Sequence, residues 1–499
     1  MPLKLIGRIK RQYKTPGCGA DLGHVTIKSV KITTQSGSST MHFNEKKQAF
    51  YIAGIYGFRM LGLFMILPIF SLYTTALKDA TPFLIGLALG IYGLTQALFQ
   101  MPFGFLSDRI GRKPVIIGGL LLFLIGSLIA AFADSIQGII LGRAIQGAGA
   151  IGSTLIALVA DLTQEENRLK AMSIIGMTIG FSFILAMVLG PLLNPWIGLS
   201  GLFMMTGAMA LLALLIITFC IETPQKQTIH ADAEPIKGQF LSILSDTQLW
   251  RLNYGIFAQH AILMAIFLII PSLLTDSLGI LPERQWMLYL PVLLIATLIM
   301  FPFVLIAEVK RLIKPLFVGA IILLFMMIGL LSAVMKPLYV FAVLLCFFFA
   351  AFTFLEACLP SLVSKIAPAN KKGTAMGIYS TSQFMGIFVG GSFGGFAYHH
   401  WHSTGVIIFS LGLSLIWLTL ALTMKDPPYL RTMSFSLEAY LSHDNWQHER
   451  NSLLAIEGVK EVTIDPENKI AYLKIDSKLI KPETLLAIVQ KNHTWILPQ

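Results

Sequence analysis

From Ala49 to Met424 the chain is a succession of apolar stretches about 20 residues long, separated by short polar loops. About 20 apolar residues in a helix cross the ~30 Å of bilayer hydrocarbon. No water is present there to satisfy peptide groups, so only helices or closed barrels can span it. The stretches read as twelve helices, near 49–73, 82–106, 114–133, 136–160, 169–193, 201–221, 251–275, 286–307, 315–335, 338–362, 373–399 and 404–424. Composition agrees. The chain is 55% hydrophobic and 13% charged, about half the ~25% charge of a soluble domain. A single apolar core stops growing near ~250–300 residues, so this apolar mass belongs in lipid, and an ordinary soluble enzyme is excluded. The expected fold is all-α and membrane-embedded.

The spacing is uneven in one place. Residues 222–250, with Thr223-Pro224, His230, Asp232, Glu234 and Pro235, form a polar linker that divides the spans into halves at 46–221 and 251–428. The loops after the second, fourth, eighth and tenth helices carry Arg109, Arg112, Lys113, Arg168, Lys170, Lys310, Arg311, Lys314, Lys365, Lys371 and Lys372. The opposite loops carry Lys78, Arg284 and Lys336. Cytoplasmic loops are the basic ones, so both termini are expected in the cytoplasm. Residues 1–40 hold 7 Lys/Arg and 1 Asp, +6 of the net charge of +11, and this asymmetry accounts for the rest without any nucleic-acid partner. Residues 1–45 form a basic arm with no apolar segment of signal-peptide type. Either it is disordered, or translation begins at Met41. Cys18, Cys220, Cys346 and Cys358 are scattered, with no Cys-x-x-Cys, so neither a disulfide framework nor a thiolate metal site is expected.

After Asp426-Pro427-Pro428 the composition returns to a soluble level. The pattern over 429–499 predicts strand 431–437, helix 448–457, strands 460–465 and 469–476, helix 482–490 and strand 494–497. That βαββαβ order is the ferredoxin-like motif, with a disordered tail as the other reading. The segment 438–447 has no cysteine, and His443 and Asp444 make no convincing metal site. A module that binds a ligand or a protein is preferred.

The halves echo one another. Pro102 precedes Asp108 by six residues, as Pro302 precedes Glu308. Lys170-Ala171-Met172 is matched by Thr374-Ala375-Met376. Parallel repeats of this kind build many secondary transporters, with the substrate site between the halves. The run Gly104-x-Leu106-x-Asp108-Arg109-x-Gly111-Arg112-Lys113 resembles motif A of the major facilitator superfamily at each defining position. Leu141-Gly142-Arg143 through Gly149 is similar to its motif B. Gly190-Pro191 is similar to its antiporter motif C, although Ala186 and Asn194-Pro195 stand where glycines are expected. With Arg59-Met60-Leu61-Gly62, Glu356-Ala357-Cys358-Leu359-Pro360 and the small terminal domain, residues 46–430 and the tail resemble the bacterial YajR-type branch, which is similar to drug:proton antiporters. The resemblance implies a multi-pass protein of the bacterial inner membrane that exchanges protons for small organic compounds and has no cofactor. It also implies that motif A latches the cytoplasmic side, with Asp108 near Lys372-Gly373-Thr374.

The residues themselves nominate sites. Asp108 and Arg112, one helical turn apart, and Asp161 form a charge cluster at the membrane edge, where pairs are partly desolvated. Glu308 with Arg311 is its second-half counterpart, or else a solvated loop charge. Glu356 lies well inside an apolar stretch. Desolvation favours a neutral acid and a nearby cation favours the anion, so a carboxylate whose surroundings alternate loads and releases a proton. The other reading of Glu356 is a structural ion-pair partner. His260 is a second titratable candidate or a packing residue. Arg59 and Arg143, costly in the membrane unless they face a cavity or a partner, are candidate cations for Glu356. Gln146 and Gln259 complete the expected cavity. An importer, a metal-ion transporter and a non-transporting sensor are the competing functions. No Ser-His-Asp set, nucleotide loop or metal cluster supports an enzyme.

Overall fold

A computed structural model describes residues 43–485, apart from 75–76, 164, 224–239, 334–336, 369–370, 428–429, 437–445, 466–469, 477–478 and 481–483. The first half comprises α1 (Phe43–Phe64), α2 (Leu67–Tyr73), α3 (Pro82–Ile110), α4 (Arg112–Ala131), α5 (Ile136–Ala148), α6 (Gly152–Leu162) and α7 (Glu165–Phe219). The short α8 (Phe240–Leu244) leads to α9 (Thr247–Asp276), α10 (Trp286–Val309), α11 (Ile313–Ala333), α12 (Leu338–Ile366) and α13 (Lys372–Leu422). The terminal domain holds β1 (Leu430–Ser436), α14 (Trp446–Leu454), β2 (Val459–Asp465) and β3 (Ile470–Asp476). The basic arm at 1–42 and most of the linker lie outside the described residues.

Among the described residues, 10 helices are long and apolar enough to cross a membrane. Two of them, Lys170–Phe219 and Lys372–Leu422, have 50 and 51 residues. At 1.5 Å per residue that is about 75 Å, more than twice the hydrocarbon thickness. Each is broken by non-helical backbone, at Gly198 (φ 64°, ψ 179°) and at Trp401 and His402. Two expected single helices are themselves interrupted: α1 and α2 at Met65–Ile66, and α5 and α6 at Gly149–Ile151. Pro68 at the start of α2 explains the first, since it belongs in an opening turn. At the second, a side chain on Gly149 would lie 2.3 Å from the Gly119 carbonyl, so α4 and the break touch backbone to backbone.

The helix starts follow local chemistry. Thr81 accepts from the Leu84 amide at 3.3 Å, and Pro82 opens α3. Asp246 accepts from Gln248 and Leu249 at 2.8 and 3.1 Å, so α9 begins at Thr247, inside the span expected to be linker. Gly111 joins α3 to α4 with φ 103°, a backbone that side-chain-bearing residues rarely adopt.

The halves meet along α3 and α13, with α2 on α9 and α7 on α10. A Cβ on Gly86 would lie 2.3 Å from the Gly391 carbonyl, and one on Gly90 2.6 Å from the Phe388 carbonyl. Such backbone approach is open only to glycine. Gly386 and Gly390 do the same against Phe257 and Ala261 of α9. Gly86 and Asp108 are 22 residues apart on one helix, roughly 33 Å. The tight seam is therefore at the end of the bundle opposite the Asp108 turn.

In the terminal domain the strand order is β1-β3-β2, with both pairings antiparallel. Leu453, Val462, Leu473 and Ile475 fill a separate small core. The expected helix 482–490 and strand 494–497 fall almost wholly outside the described residues. Polar contacts tie this domain to the bundle. Arg311 meets Asp476 at 3.3 Å, and the buried Lys474 donates to the Ala367 carbonyl at 2.8 Å while pairing with Glu461 at 2.9 Å.

Candidate functional site

Three side-chain clusters carry charge in or at the membrane. The first sits at the α3–α4 turn. Arg112 is 2% exposed and donates through Nε to Asp161 at 3.1 Å and through Nη1 to Ser107 Oγ at 2.8 Å. It also pairs with Asp108. Ser107 in turn donates to the Gly104 carbonyl at 2.7 Å. Gly104 lets α6 approach, with Ser153 Oγ 3.4 Å from where a Cβ would stand. Arg112 opens α4 rather than continuing α3, because Gly111 turns the chain between them. Arg109 is exposed and Lys113 half-buried. The hydrogen-bond partner of Asp108 described here is Arg112.

The second-half counterpart is built differently from expectation. Glu308 is gripped by Lys365 at 2.6 and 2.7 Å, with Ser361 at 3.4 Å. Arg311 instead reaches Asp476 of the terminal domain. A left-handed turn at Arg311 (φ 56°) redirects the chain after α10 and separates the two roles.

The second cluster lies between α9, α12 and α13. The Gln259 amide donates to Glu356 Oε2 at 2.9 Å and to the Phe352 carbonyl at 3.1 Å, while Gln259 Oε1 is buried without a partner. His260 Nε2 lies 3.9 Å from the same Glu356 oxygen. A carbonyl can only accept, so His260 Nδ1 donates to Ile256 O (3.3 Å), and neutral Nε2 accepts from the Gln383 amide at 2.8 Å. Glu356 is 39% exposed although Gln259 and His260 are buried. Its carboxylate thus meets α9 through Gln259 and His260 and stays partly open. Neither Arg59 nor Arg143 pairs with it, so the expected cation is replaced by an amide and an imidazole. Rings continue the wall between the halves: His260 with Phe352 (6.1 Å), Phe352 with Phe183 of α7 (6.5 Å), and Phe183 with Phe64 of α1 (5.0 Å).

The third cluster is in the first half. Arg59 donates to the Tyr92 hydroxyl at 3.0 Å and to Gln96, which donates to Gln100 at 3.1 Å. Arg143 lies over the Tyr92 ring at 4.9 Å and donates to Gln146 at 3.2 Å, while Gln146 donates to Ser127 at 2.8 Å. Arg59 of α1 and Arg143 of α5, both expected to line the cavity, therefore converge on one tyrosine of α3. Ser107, Tyr92 and Phe183 were not foreseen. Ser107 lay inside the motif, at one of its variable positions. Tyr92 and Phe183 carry no pattern that separates them from packing residues. Among the described residues no group of His, Cys, Asp and Glu could hold a metal ion.

An all-helical membrane fold, a buried arginine held by two aspartates and charged interior clusters fit a secondary transporter. The major facilitator superfamily model matches residues 52–391, and the YajR YAM domain model matches 441–489. The chain belongs to the major facilitator superfamily. It is 44% identical over 435 residues to the inner membrane transport protein YajR of Escherichia coli (strain K12), covering 87% of this chain and 95% of that protein. It is also 25% identical to the multidrug resistance protein MdtH of Aeromonas salmonicida, over 74% of this chain and 94% of that one. Among solved structures, a bacterial homologue of the human lysosomal transporter Spinster, inward-facing and unoccupied, superposes with TM-score 0.61 at 14% identity. That match spans 77% of this chain and 97% of that chain.

Proposed function

We propose that the protein is a proton-coupled exporter of small organic compounds in a bacterial inner membrane, with twelve spans and both termini in the cytoplasm. The breaks at Gly198 and at Trp401-His402 support reading each long helix as two spans. The observation that carries proton coupling is Glu356. It is a carboxylate inside the membrane, open on one side, with an amide and an imidazole on the other. Gln259 serves both states: its NH₂ holds the carboxylate, and its unpartnered Oε1, once the amide turns, accepts from the protonated acid. His260, 3.9 Å away, is the second stop for the proton. The similarity to MdtH supports export over import.

In this reading the Asp108–Arg112–Asp161 cluster biases the conformational equilibrium. The glycine seam between α3 and α13 supports assigning the present conformation as shut on the periplasmic side. The cluster then reaches the start of α13 in the alternate state, and Glu308–Lys365 is its weaker partner. The terminal domain reads as a regulatory module on the cytoplasmic loops. The test is proton movement in proteoliposomes with an internal pH dye. Addition of transported compounds should release a proton signal in the native protein and none in Glu356→Gln. An equal signal in both would remove Glu356 as the carrier.

A further inference from the structure

We propose that Arg59 and Arg143, grouped around Tyr92, form a receptor for the negatively charged head of the transported compound. The substrate class is then a small organic anion, with a carboxylate or phosphate on an apolar body. This inference rests on the reading of the chain as a transporter of small organic compounds and narrows it.

Both guanidinium groups carry their charge permanently. Both arginines are 2% exposed. Their partners are all neutral: the Tyr92 hydroxyl and ring face, Gln96, Gln146 and the Ala88 carbonyl. Among the described residues neither arginine has an ion pair with a carboxylate. Arg59 Nε and Nη1 are buried with no hydrogen-bond partner at all. Arg112 shows what this chain does with an arginine kept for structure, since it is matched by two aspartates and a serine. Two uncompensated cations inside a membrane are costly. An anion with acceptor oxygens would supply both the missing charge and the missing hydrogen bonds.

The same helix offers a place for the rest of the molecule. Phe64 lies five residues beyond Arg59 on α1 and packs edge-on to Phe183, which stacks on Phe352. An apolar body has this aromatic wall, which runs from α1 into the second half, within about two turns of Arg59 along the helix.

The experiment uses the full chain in phosphatidylcholine nanodiscs, at one pH and with no gradient. Binding of benzoate, phenyl phosphate, benzamide and inorganic phosphate is read by fluorescence titration and by thermal shift. Benzoate and phenyl phosphate should bind at least about tenfold tighter than benzamide, and inorganic phosphate should not stabilise the protein. Arg59→Gln should lose the preference for the charged probes, while its unliganded melting temperature is unchanged or raised, because an unpaired buried charge has gone. Arg59→Lys should keep part of the preference. Equal binding of benzamide, no binding of either organic anion, or an intact preference in Arg59→Gln overturns the proposal. So does a lowered unliganded melting temperature in Arg59→Gln with the preference retained, which would make Arg59 structural. Inorganic phosphate matching phenyl phosphate would replace the organic substrate by a simple ion. Loss of benzoate binding when phosphatidylglycerol is added would assign the site to a lipid headgroup. With no gradient present, failure of proton coupling leaves this result standing, and failure of anion preference leaves the proton signal intact.

Discussion

Among the described residues, the interior of the first half holds two buried arginines with neutral partners. In the second the interior charge is one carboxylate, 39% exposed, beside an amide and a histidine. The first half thus carries positive charge in its interior and the second a carboxylate. The turns after α3 and α10 differ in the same spirit. Arg112 and Asp161 are buried and fully engaged, whereas Glu308 and Lys365 form a pair whose acid is 47% exposed. The two halves are free to differ in this way, because helix packing depends on small and apolar residues that say nothing about the charges between them.

Removing the acid should break this contrast most completely. In Glu356→Gln the shape and the Gln259 contact survive, but nothing titrates. Flux driven by a pH gradient should fall to background while the melting temperature is unchanged or higher. The alternative, a structural acid, requires the reverse: lower thermal stability with coupling intact in the surviving protein. Measuring both quantities on one preparation decides between them.

The two turns come next. Arg112→Ala removes the cation that meets Asp161, whose side chain is 0% exposed. Breaking a buried pair by removing one partner costs about 3–5 kcal/mol, and transport should be lost with it. Glu308→Ala removes an exposed pair worth about 0–1 kcal/mol and should leave flux near normal. Denaturation midpoints of the two variants in the same detergent test the ranking. Equal losses would show that the second-half turn is as integral as the first.

Smaller again is the seam. Gly90→Ala places a methyl group 2.6 Å from the Phe388 carbonyl, and overpacking of this kind costs about 1–3 kcal/mol. Only the conformation closed at that end feels it, so the population should move towards the other state. Spin-label distances between α3 and α13 should lengthen there. An unchanged distance distribution would mean that the two helices stay packed throughout the cycle.

Most of the bundle could be read from hydropathy alone, because a span length and a loop charge are fixed by the bilayer rather than by neighbouring residues. The breaks at Met65–Ile66 and Gly149–Ile151 were hidden for the opposite reason. They depend on which backbone approaches, and Gly149 looks like any other helical glycine until Gly119 lies against it. The Asp108–Arg112–Asp161 cluster was visible through its spacing and motif. The pairing of Glu356 with Gln259 and His260 was not, since residues nearly 100 positions apart in the chain meet only after packing. The same gap explains the mistaken expectation that an arginine would accompany Glu356. Sequence shows that a charge is buried, but not which helix faces it.

The smallest effect on the bundle should come from removing the terminal domain. Its core of Leu453, Val462, Leu473 and Ile475 is separate from the core of the helices. What joins the two is polar: Arg311 with Asp476, and Lys474 with the Ala367 carbonyl. The ion pair is partly exposed, so Asp476→Ala should cost about 0–1 kcal/mol. The helices satisfy their own peptide hydrogen bonds within the membrane and do not need the domain for that. A chain ending at residue 430 should therefore insert and purify as a monodisperse protein with helical content intact. Its loops at 310–313 and 366–368, freed of Asp476 and Lys474, should exchange amide hydrogens faster than in the full chain. Loss of folded protein after truncation would show that the small domain supports the bundle. Unchanged exchange in those two loops would show that the contacts at Arg311 and Ala367 do not hold in the membrane.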